Sequence, residues 1–386
     1  MNKIAAIELA QARGDPEPAN PTLFIGAGSQ MHCGVGQFAQ LLSDAIEKLE
    51  PGRCKALSLT RLEGTLAEIW RATGLARTVV CHFPIVAWKR VILRPLLALA
   101  LARLRGRRVV LIQHEWAGLH PLRRLTYIPG LLFANTIVMF SPLVRRELAE
   151  DRLVGFTAKK TVLAPLPPNI KAPEAIADSK LLRRLAAGRE EGRLVIGQFG
   201  SIYPGKGPER LLEICNCLKQ LGRRPLIVYV GSFIRGTDDV ERDFLSRAAE
   251  LGVSDDVIVS GYVASNSEVF GLFSQIDVFC YPLDEGLTAR RASVLTCVQS
   301  GRPVIAAAPA GSDEFDHHPR FQDLIDQGAI VLVARGSDSA VYAEAVVSAL
   351  ERPTVRSAFD FNGWWADVAA AICATLRRSA EGRSQR

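Results

Sequence analysis

Residues 194–214 read LVIGQFGSIYPGKGPERLLEI. An apolar run ends in a glycine turn, a Gly-Lys-Gly follows, and apolar residues then recur at helical spacing. Strand, glycine turn and helix in that order form the opening unit of a doubly wound α/β domain. Within it, Gly200–Gly207 (GSIYPGKG) is one residue away from a nucleoside-triphosphate loop. The first glycine, the four-residue spacer and the Gly-Lys pair of G-x-x-x-x-G-K-[ST] are present, but Gly207 stands where a hydroxyl would hold Mg²⁺. Tyr203-Pro204 also stiffens a spacer that should wrap around phosphate. Two readings stay open from these residues alone. Either the glycines only turn the chain and Lys206 is solvated, or the turn and Lys206 grip a diphosphate at a helix N-terminus without metal.

The same alternation runs outward in both directions. After residue 194 the strands PLIVYVG, DVIVSGYV, IDVFCYP and RPVIAAAP follow, each separated by a helical stretch. Before it, PTLFIGA (21–27), Thr78–Cys81, Arg108–Ile112 and Thr136–Phe140 are short apolar strands, also separated by helical stretches. All-apolar strands alternating with helices predict parallel sheets covered on both faces. The fold class expected is therefore α/β, with two doubly wound Rossmann-like domains facing a cleft. The proline-rich APLPPNIKAPEA marks the join. The expected organisation is a tail over 1–20, a first domain over 21–170, a linker over 171–190, a second domain over 191–350, and C-terminal helices over 351–386 that return to the first domain.

Composition sets the outer bounds. A chain of 386 residues, 48% apolar and 23% charged, is a globular protein too long for one ordinary core. Eight cysteines show neither CxxC nor a His/Cys cluster at zinc spacing, so no metal site is expected and a reducing compartment fits. The first twenty residues carry acids and no apolar core, unlike a secretory signal. A cytoplasmic protein, peripheral at most on the inner face of a membrane, is the expectation. The net charge of +7 is concentrated. Val86–Arg108 (VAWKRVILRPLLALALARLRGRR) holds seven Lys or Arg and no acid. Trp88, Val91, Ile92 and the leucines after them suit either a helix lying on an anionic membrane or a sheet-covering helix with a basic end. The aromatic interleaving of single-strand binders is missing, so nucleic acid is not expected as a partner.

Several stretches together resemble the GT-B glycosyltransferases, specifically the large retaining family 4 (group 1) type. FGSIYPGKGPERLLEI is similar to that family's lysine-glycine loop, and PLIVYVGSF to its strand-then-glycine turn. DVIVSGYVASNSEVFGLFSQIDVFCYP is similar to the nucleobase-facing strand, helix and following strand, and SGRPVIAAA to the strand after the donor helix. CGVGQF (33–38) resembles the family's glycine-rich loop, and CHFP (81–84) and LIQHEW (111–116) resemble strand ends that carry histidine. The resemblance implies a donor site built from Gly34, Val35, Gly36, Gly200, Ser201, Lys206, Gly231, Tyr262, Arg290, Arg291, Ser293 and Thr296. It implies His114 at the reacting sugar and His82 towards the acceptor. Lys206 with Arg290 or Arg291 would stabilise the leaving diphosphate.

The departures are specific. Aligned on Gly301, the family's two glutamates fall on Thr288 and Thr296, and the arginine that accompanies the loop lysine falls on Ser201. Threonine offers one hydroxyl and no charge. Arg290 and Arg291 are expected in the first turn of a helix, where the dipole disfavours cations unless an anion joins them. Glu115 and Glu285 are further carboxylates of interest. The function expected is a metal-independent glycosyltransferase with no cofactor, moving sugar from a nucleotide-diphosphate sugar to a glycan or lipid-linked acceptor. The alternative is a non-catalytic GT-B protein that binds nucleotide sugar or a protein partner.

Overall fold

The computed structural model describes residues 21–27, 34–60, 63–85, 88, 91–234, 239–351 and 360–381. The expected tail over 1–20, Cys33, and Val86, Ala87, Lys89 and Arg90 of the basic segment lie outside the described residues. The chain divides into two compact units. One takes the described residues up to Met139, then Val144–Val162, then those from Trp365 onward; the other takes Phe140–Leu143 and Leu163–Trp364.

The first unit is built on six strands, β1 (Thr22–Gly26), β2 (Cys54–Ser58), β3 (Thr78–Phe83), β4 (Arg108–Gln113), β5 (Thr136–Met139) and β6 (Thr161–Leu163), in the order β2-β1-β3-β4-β5-β6. The pairs from β2 through to β5 are parallel. Its helices are α1 (Gly34–Leu49), α2 (Leu66–Leu75), α3 (Leu93–Leu104), α4 (Pro121–Phe133) and α5 (Pro142–Glu150). The central strand β3 is buried at every position, as an all-apolar strand covered on both faces should be. Helix α2 starts where Thr65 and Glu68 cap each other reciprocally. Helix α1 begins at Gly34, so Gly34, Val35 and Gly36 form its first turn rather than a loop. The apolar period that buries Phe38, Leu42 and Ile46 is simply continued upstream.

Trp88 overturns part of the membrane reading of the basic segment. Its ring is fully buried against Phe83, and its indole N–H donates to the Leu59 carbonyl at 2.9 Å. A ring satisfied this way belongs to the core.

The second unit has β7 (Leu194–Phe199), β8 (Pro225–Val230), β9 (Val257–Val259), β10 (Val278–Tyr281), β11 (Val304–Ala307) and β12 (Ile330–Val333), ordered β12-β11-β10-β7-β8-β9 and parallel throughout. Counted from β7 this is the 3-2-1-4-5-6 order of a dinucleotide-binding sheet. Around it lie α6 (Lys180–Glu190), α7 (Pro208–Gln220), α8 (Val240–Glu250), α9 (Asn266–Ser274), α10 (Ala292–Val298), α11 (Pro319–Asp326) and α12 (Ser339–Leu350). Helix α13 (Phe361–Glu381) closes the described chain. In the first unit the Arg108 guanidinium donates to the carbonyls of Thr375 and Leu376 of α13.

Candidate functional site

Strand order reverses between β7 and β10, which are neighbours in register at Ile196↔Val278 and Gly197↔Phe279. Loops leaving two such strands diverge and open a crevice at their carboxyl ends. Those loops are the glycine-lysine loop after β7 and the segment 282–291 after β10. Their chemistry meets there.

The glycine-lysine loop has a shape that a nucleoside-triphosphate loop could not take. Pro204–Lys206 make one 3-10 turn, and Gly207 adopts φ +64° before α7. A Cβ on Gly207 would lie 2.1 Å from the Pro282 carbonyl oxygen. Neither Ser nor Thr fits, so the absence of the Mg²⁺-binding hydroxyl follows from the packing of β10 against this turn. At the other end, Gly200 has φ +99° and passes so close to Gly231 that a Cβ on the latter would meet the Gly200 oxygen at 2.1 Å. Gly200 and Gly231, two of the four glycines assigned to the donor site, are brought together.

Lys206 is 5% exposed. Its Nζ donates to the Phe199 carbonyl at 3.0 Å and sits 5.8 and 5.9 Å from the ring centres of Tyr203 and Tyr281. An ammonium has three N–H groups, and one acceptor satisfies one of them. Burial, followed by the nearby charge of Arg291, pulls its pKa from 10.5 down to about 7. The Tyr281 hydroxyl donates to the Phe199 carbonyl at 3.0 Å, holding the acceptor that Lys206 shares.

Arg290 and Arg291 do not lie inside a helical first turn. Arg291 is the N-cap of α10 and Arg290 precedes it. The turn over 283–286 brings Glu285 back beside them. Arg290 Nη2 contacts Glu285 Oε1 and Oε2 at 3.0 and 3.1 Å, and Arg291 Nη2 contacts Oε1 more closely still. Arg291 Nη1 also donates to the Tyr203 hydroxyl, which links the two loops. The counter-anion expected to come from a ligand is thus supplied by the protein, and the dipole penalty falls away. Arg291 Nε stays buried without a partner.

The remaining candidates separate into three groups. Ser293 lies beside Gly200, its Cβ 3.7 Å from where a Gly200 Cβ would stand. Ser201 and Tyr262 are exposed at the ends of β7 and β9. Thr296 is wholly buried and its hydroxyl donates to the Ala292 carbonyl at 2.9 Å, so in this structure it offers nothing to a ribose. Thr288, at the other family glutamate position, is also buried.

Sequence reasoning missed Glu314. Its buried carboxylate accepts from Ser141 Oγ (2.6 Å) and the Ala289 amide (3.0 Å) through Oε1, and from the Leu143 amide (3.2 Å) through Oε2. It fixes the backbone immediately ahead of the arginine pair. In the sequence it stands in GSDEFDHH, which reads as a solvated polar loop.

In the first unit, His82 is the penultimate residue of β3 and His114 follows β4. His82 Nδ1 lies 3.4 Å from His114 Nε2, and Phe38 presents an edge to both rings. His82 is fully buried, which rules it out as an acceptor contact in this structure; Nε2 has no hydrogen-bond partner. Burial, then the neighbouring His114, holds its pKa well below the ordinary histidine value. His114 is only partly buried and keeps its place as a candidate. Among the described residues no group of three or more His, Cys, Asp or Glu is placed to hold a metal ion, and no helix is long and apolar enough to cross a membrane.

No family model matches the chain. Over 187 residues it is 29% identical to a D-inositol 3-phosphate glycosyltransferase of Stackebrandtia nassauensis, a match covering 47% of this chain and 39% of that protein. The match thus spans about two fifths of that relative's length. Among solved structures, HepE of Anabaena in complex with UDP-glucose superimposes with a TM-score of 0.55 at 16% identity, over 95% of this chain and 100% of that one. The sucrose-phosphate synthase of Thermosynechococcus elongatus gives 0.57 at 14%, over 94% and 100%. WaaG, a glycosyltransferase of lipopolysaccharide biosynthesis, gives 0.54 at 16%, over 90% and 95%. With its two parallel, helix-flanked sheets and these likenesses along nearly its whole length, the chain has the GT-B glycosyltransferase fold.

Proposed function

We propose that the protein is a glycosyltransferase that takes sugar from a nucleotide-diphosphate sugar, without a metal ion, and passes it to a glycan or lipid-linked acceptor on the cytoplasmic side of a membrane. One observation carries the reading. Lys206 is a nearly buried ammonium at a sheet switch point, with one backbone acceptor for three N–H groups and a second cation beside it. Such a group is costly in the free protein and is relieved by an anion. A diphosphate suits the position at the mouth of two glycine-lined loops, and UDP-glucose as donor and UDP as its leaving group, both seen in HepE, are the first ligands to try.

In the mechanism proposed, the bound diphosphate restores the charge on Lys206. The acceptor's hydroxyl oxygen bonds to the sugar's anomeric carbon, and the acceptor's proton passes to the nucleoside diphosphate that leaves. As the bond from that carbon to the distal phosphate oxygen breaks, negative charge grows on the departing oxygen. Lys206 is already in place to stabilise it, and Arg290 and Arg291, oriented by Glu285, add to the field. His114 positions the sugar, with His82 fixing the side chain from behind. Retention of configuration belongs to the same proposal and rests on the sequence resemblance.

A second reading, a non-catalytic nucleotide-sugar binder, is favoured by Thr288 and Thr296, which are buried where the family has glutamates. Calorimetry with UDP, GDP, ADP and UDP-glucose tests both. Lys206→Ala should cost about 2–4 kcal/mol in transition-state stabilisation with the fold intact. Binding without donor hydrolysis or transfer supports the second reading, and no binding of any diphosphate removes both.

A further inference from the structure

Helix α3 is apolar on two opposite sides. Pro95, Ala98, Leu99 and Ala102 face inward and are buried. Leu93, Leu97 and Leu104, at positions that share one helical face, point to solvent, with Leu93 77% and Leu104 83% exposed. A surface helix ordinarily turns a polar side outward, and apolar character all round marks burial in protein or lipid.

The neighbours extend this face. Helix α3 packs against both α2 and α4. Helix α2 exposes Leu66 and Trp70, and α4 exposes Leu122 and Leu125. A single exposed leucine needs no explanation, but a run of them across three adjacent helices marks an interaction surface.

Charge decides the partner. Residues 66–75, 93–108 and 121–133 contain one acid, Glu68, and eight arginines. Arg94, Arg107, Arg108 and Arg123 donate to groups of the fold and Arg124 faces Asp151, which leaves Arg71, Arg103 and Arg105 to charge this layer. Glu68 is engaged with Thr65 in the cap of α2. Arg71 and Arg103 are exposed, and the Arg105 guanidinium lies 3.4 Å from the centre of the Trp70 ring. A second copy related by a two-fold axis would set this arginine-rich face against itself. An anionic bilayer answers both features, taking the leucines into its acyl boundary and the guanidinium groups among its headgroups.

We propose that the α2–α3–α4 layer seats the protein on an anionic lipid surface, with Leu93, Leu97 and Leu104 inserted and Arg71, Arg103 and Arg105 at headgroup level. This deepens the functional reading, since a lipid-linked acceptor would be met at that surface, but the seat itself needs no donor.

The test is co-sedimentation of the full chain with phosphatidylcholine vesicles, with and without phosphatidylserine. Binding should require phosphatidylserine and weaken with salt, because the attraction is screened over about 8–10 Å. The double variant Leu93→Ser/Leu104→Ser should bind about a hundredfold more weakly, roughly tenfold for each leucine withdrawn from the acyl boundary. Arg71→Gln/Arg103→Gln should lose most of the salt dependence. Both pairs are exposed, and unchanged thermal unfolding checks the fold. Unchanged vesicle binding by the leucine variant overturns the proposal, as does equal binding to neutral vesicles. So does a dimer in sedimentation velocity that the leucine variant splits, which would assign the face to a second copy. Calorimetry with UDP-glucose separates the two ideas. A lost seat with nucleotide binding intact refutes only this inference, whereas a kept seat without nucleotide binding refutes only the function.

Discussion

Donor binding should be coupled to uptake of a proton by Lys206. In the free protein its ammonium titrates at about 7, because burial and Arg291 disfavour the charge. A diphosphate alongside reverses that preference and returns the group towards its ordinary 10.5. Affinity then follows the protonated fraction of the free protein. It should be about tenfold weaker at pH 8 than at pH 6, and about tenfold weaker again at pH 9. Calorimetry in buffers of different ionisation enthalpy should show about 0.1 proton taken up at pH 6, about 0.5 at pH 7 and about 0.9 at pH 8. UDP-glucose is a better probe than UDP, since a terminal phosphate has its own second ionisation near pH ~6. The free protein carries the complementary signature. The unfolded chain holds this proton up to about 10.5 and the folded chain releases it at about 7, so the cost is fully present below pH 7. Stability should therefore rise between pH 7 and 10.5, by at most about 5 kcal/mol. Lys206→Met should abolish both the uptake and the rise. No proton uptake at pH 8, with affinity flat from pH 6 to 9, would refute the reasoning.

Four further substitutions have defined outcomes. Glu285→Gln removes the carboxylate shared by Arg290 and Arg291 and should lower stability by about 1–3 kcal/mol in urea unfolding. Arg290→Gln should destabilise for the same reason, and a gain in stability would restore the dipole account of this pair. Glu314→Ala strands Ser141 Oγ and two amides and should cost about 3 kcal/mol or more, with the Ala289 amide losing its protection from hydrogen exchange. His82 is neutral in the fold at pH values where the unfolded chain charges, so it withdraws stability as pH falls below 6.5, by up to about 1.4 kcal/mol per pH unit. Comparing wild type with His82→Gln between pH 7 and 5 isolates that share, and parallel curves would contradict it.

The strands that build both sheets were legible wherever they are apolar and buried on both faces, as in β3, β4, β7, β8, β10 and β11. Strand β2 was not, because CKALS is a half-buried edge strand without a continuous apolar run. At the site, Lys206 and the glycines could be picked out because their backbone requirements are local. The partner of Arg290 and Arg291 could not: Glu285 reaches them through a turn whose closure depends on Leu283 and Gly286. Glu314 was further out of reach, since two of its three donors come from residues 141 and 143. Thr296 and His82 are both wholly buried, which their sequence surroundings do not reveal. Strand and helix period predict which way a side chain points, but not whether the space it points into is already filled.

Neither compact unit is a single run of the chain. Residues Phe140–Leu143 belong to the second unit although Met139 and Val144 on either side belong to the first. An expression fragment begun at residue 163 to yield the second unit alone would leave Ser141 and Leu143 behind. Glu314 would then keep only the Ala289 amide of those three donors. A buried carboxylate that loses two donors would pull the segment ahead of Arg290 open to reach water. The same fragment stopped at residue 350 would omit Trp364, whose ring packs on His318 and lies under Arg320. Truncation is thus a poor way to isolate the second unit of this protein, and a circular permutant that keeps residues 140–143 attached is the sounder design.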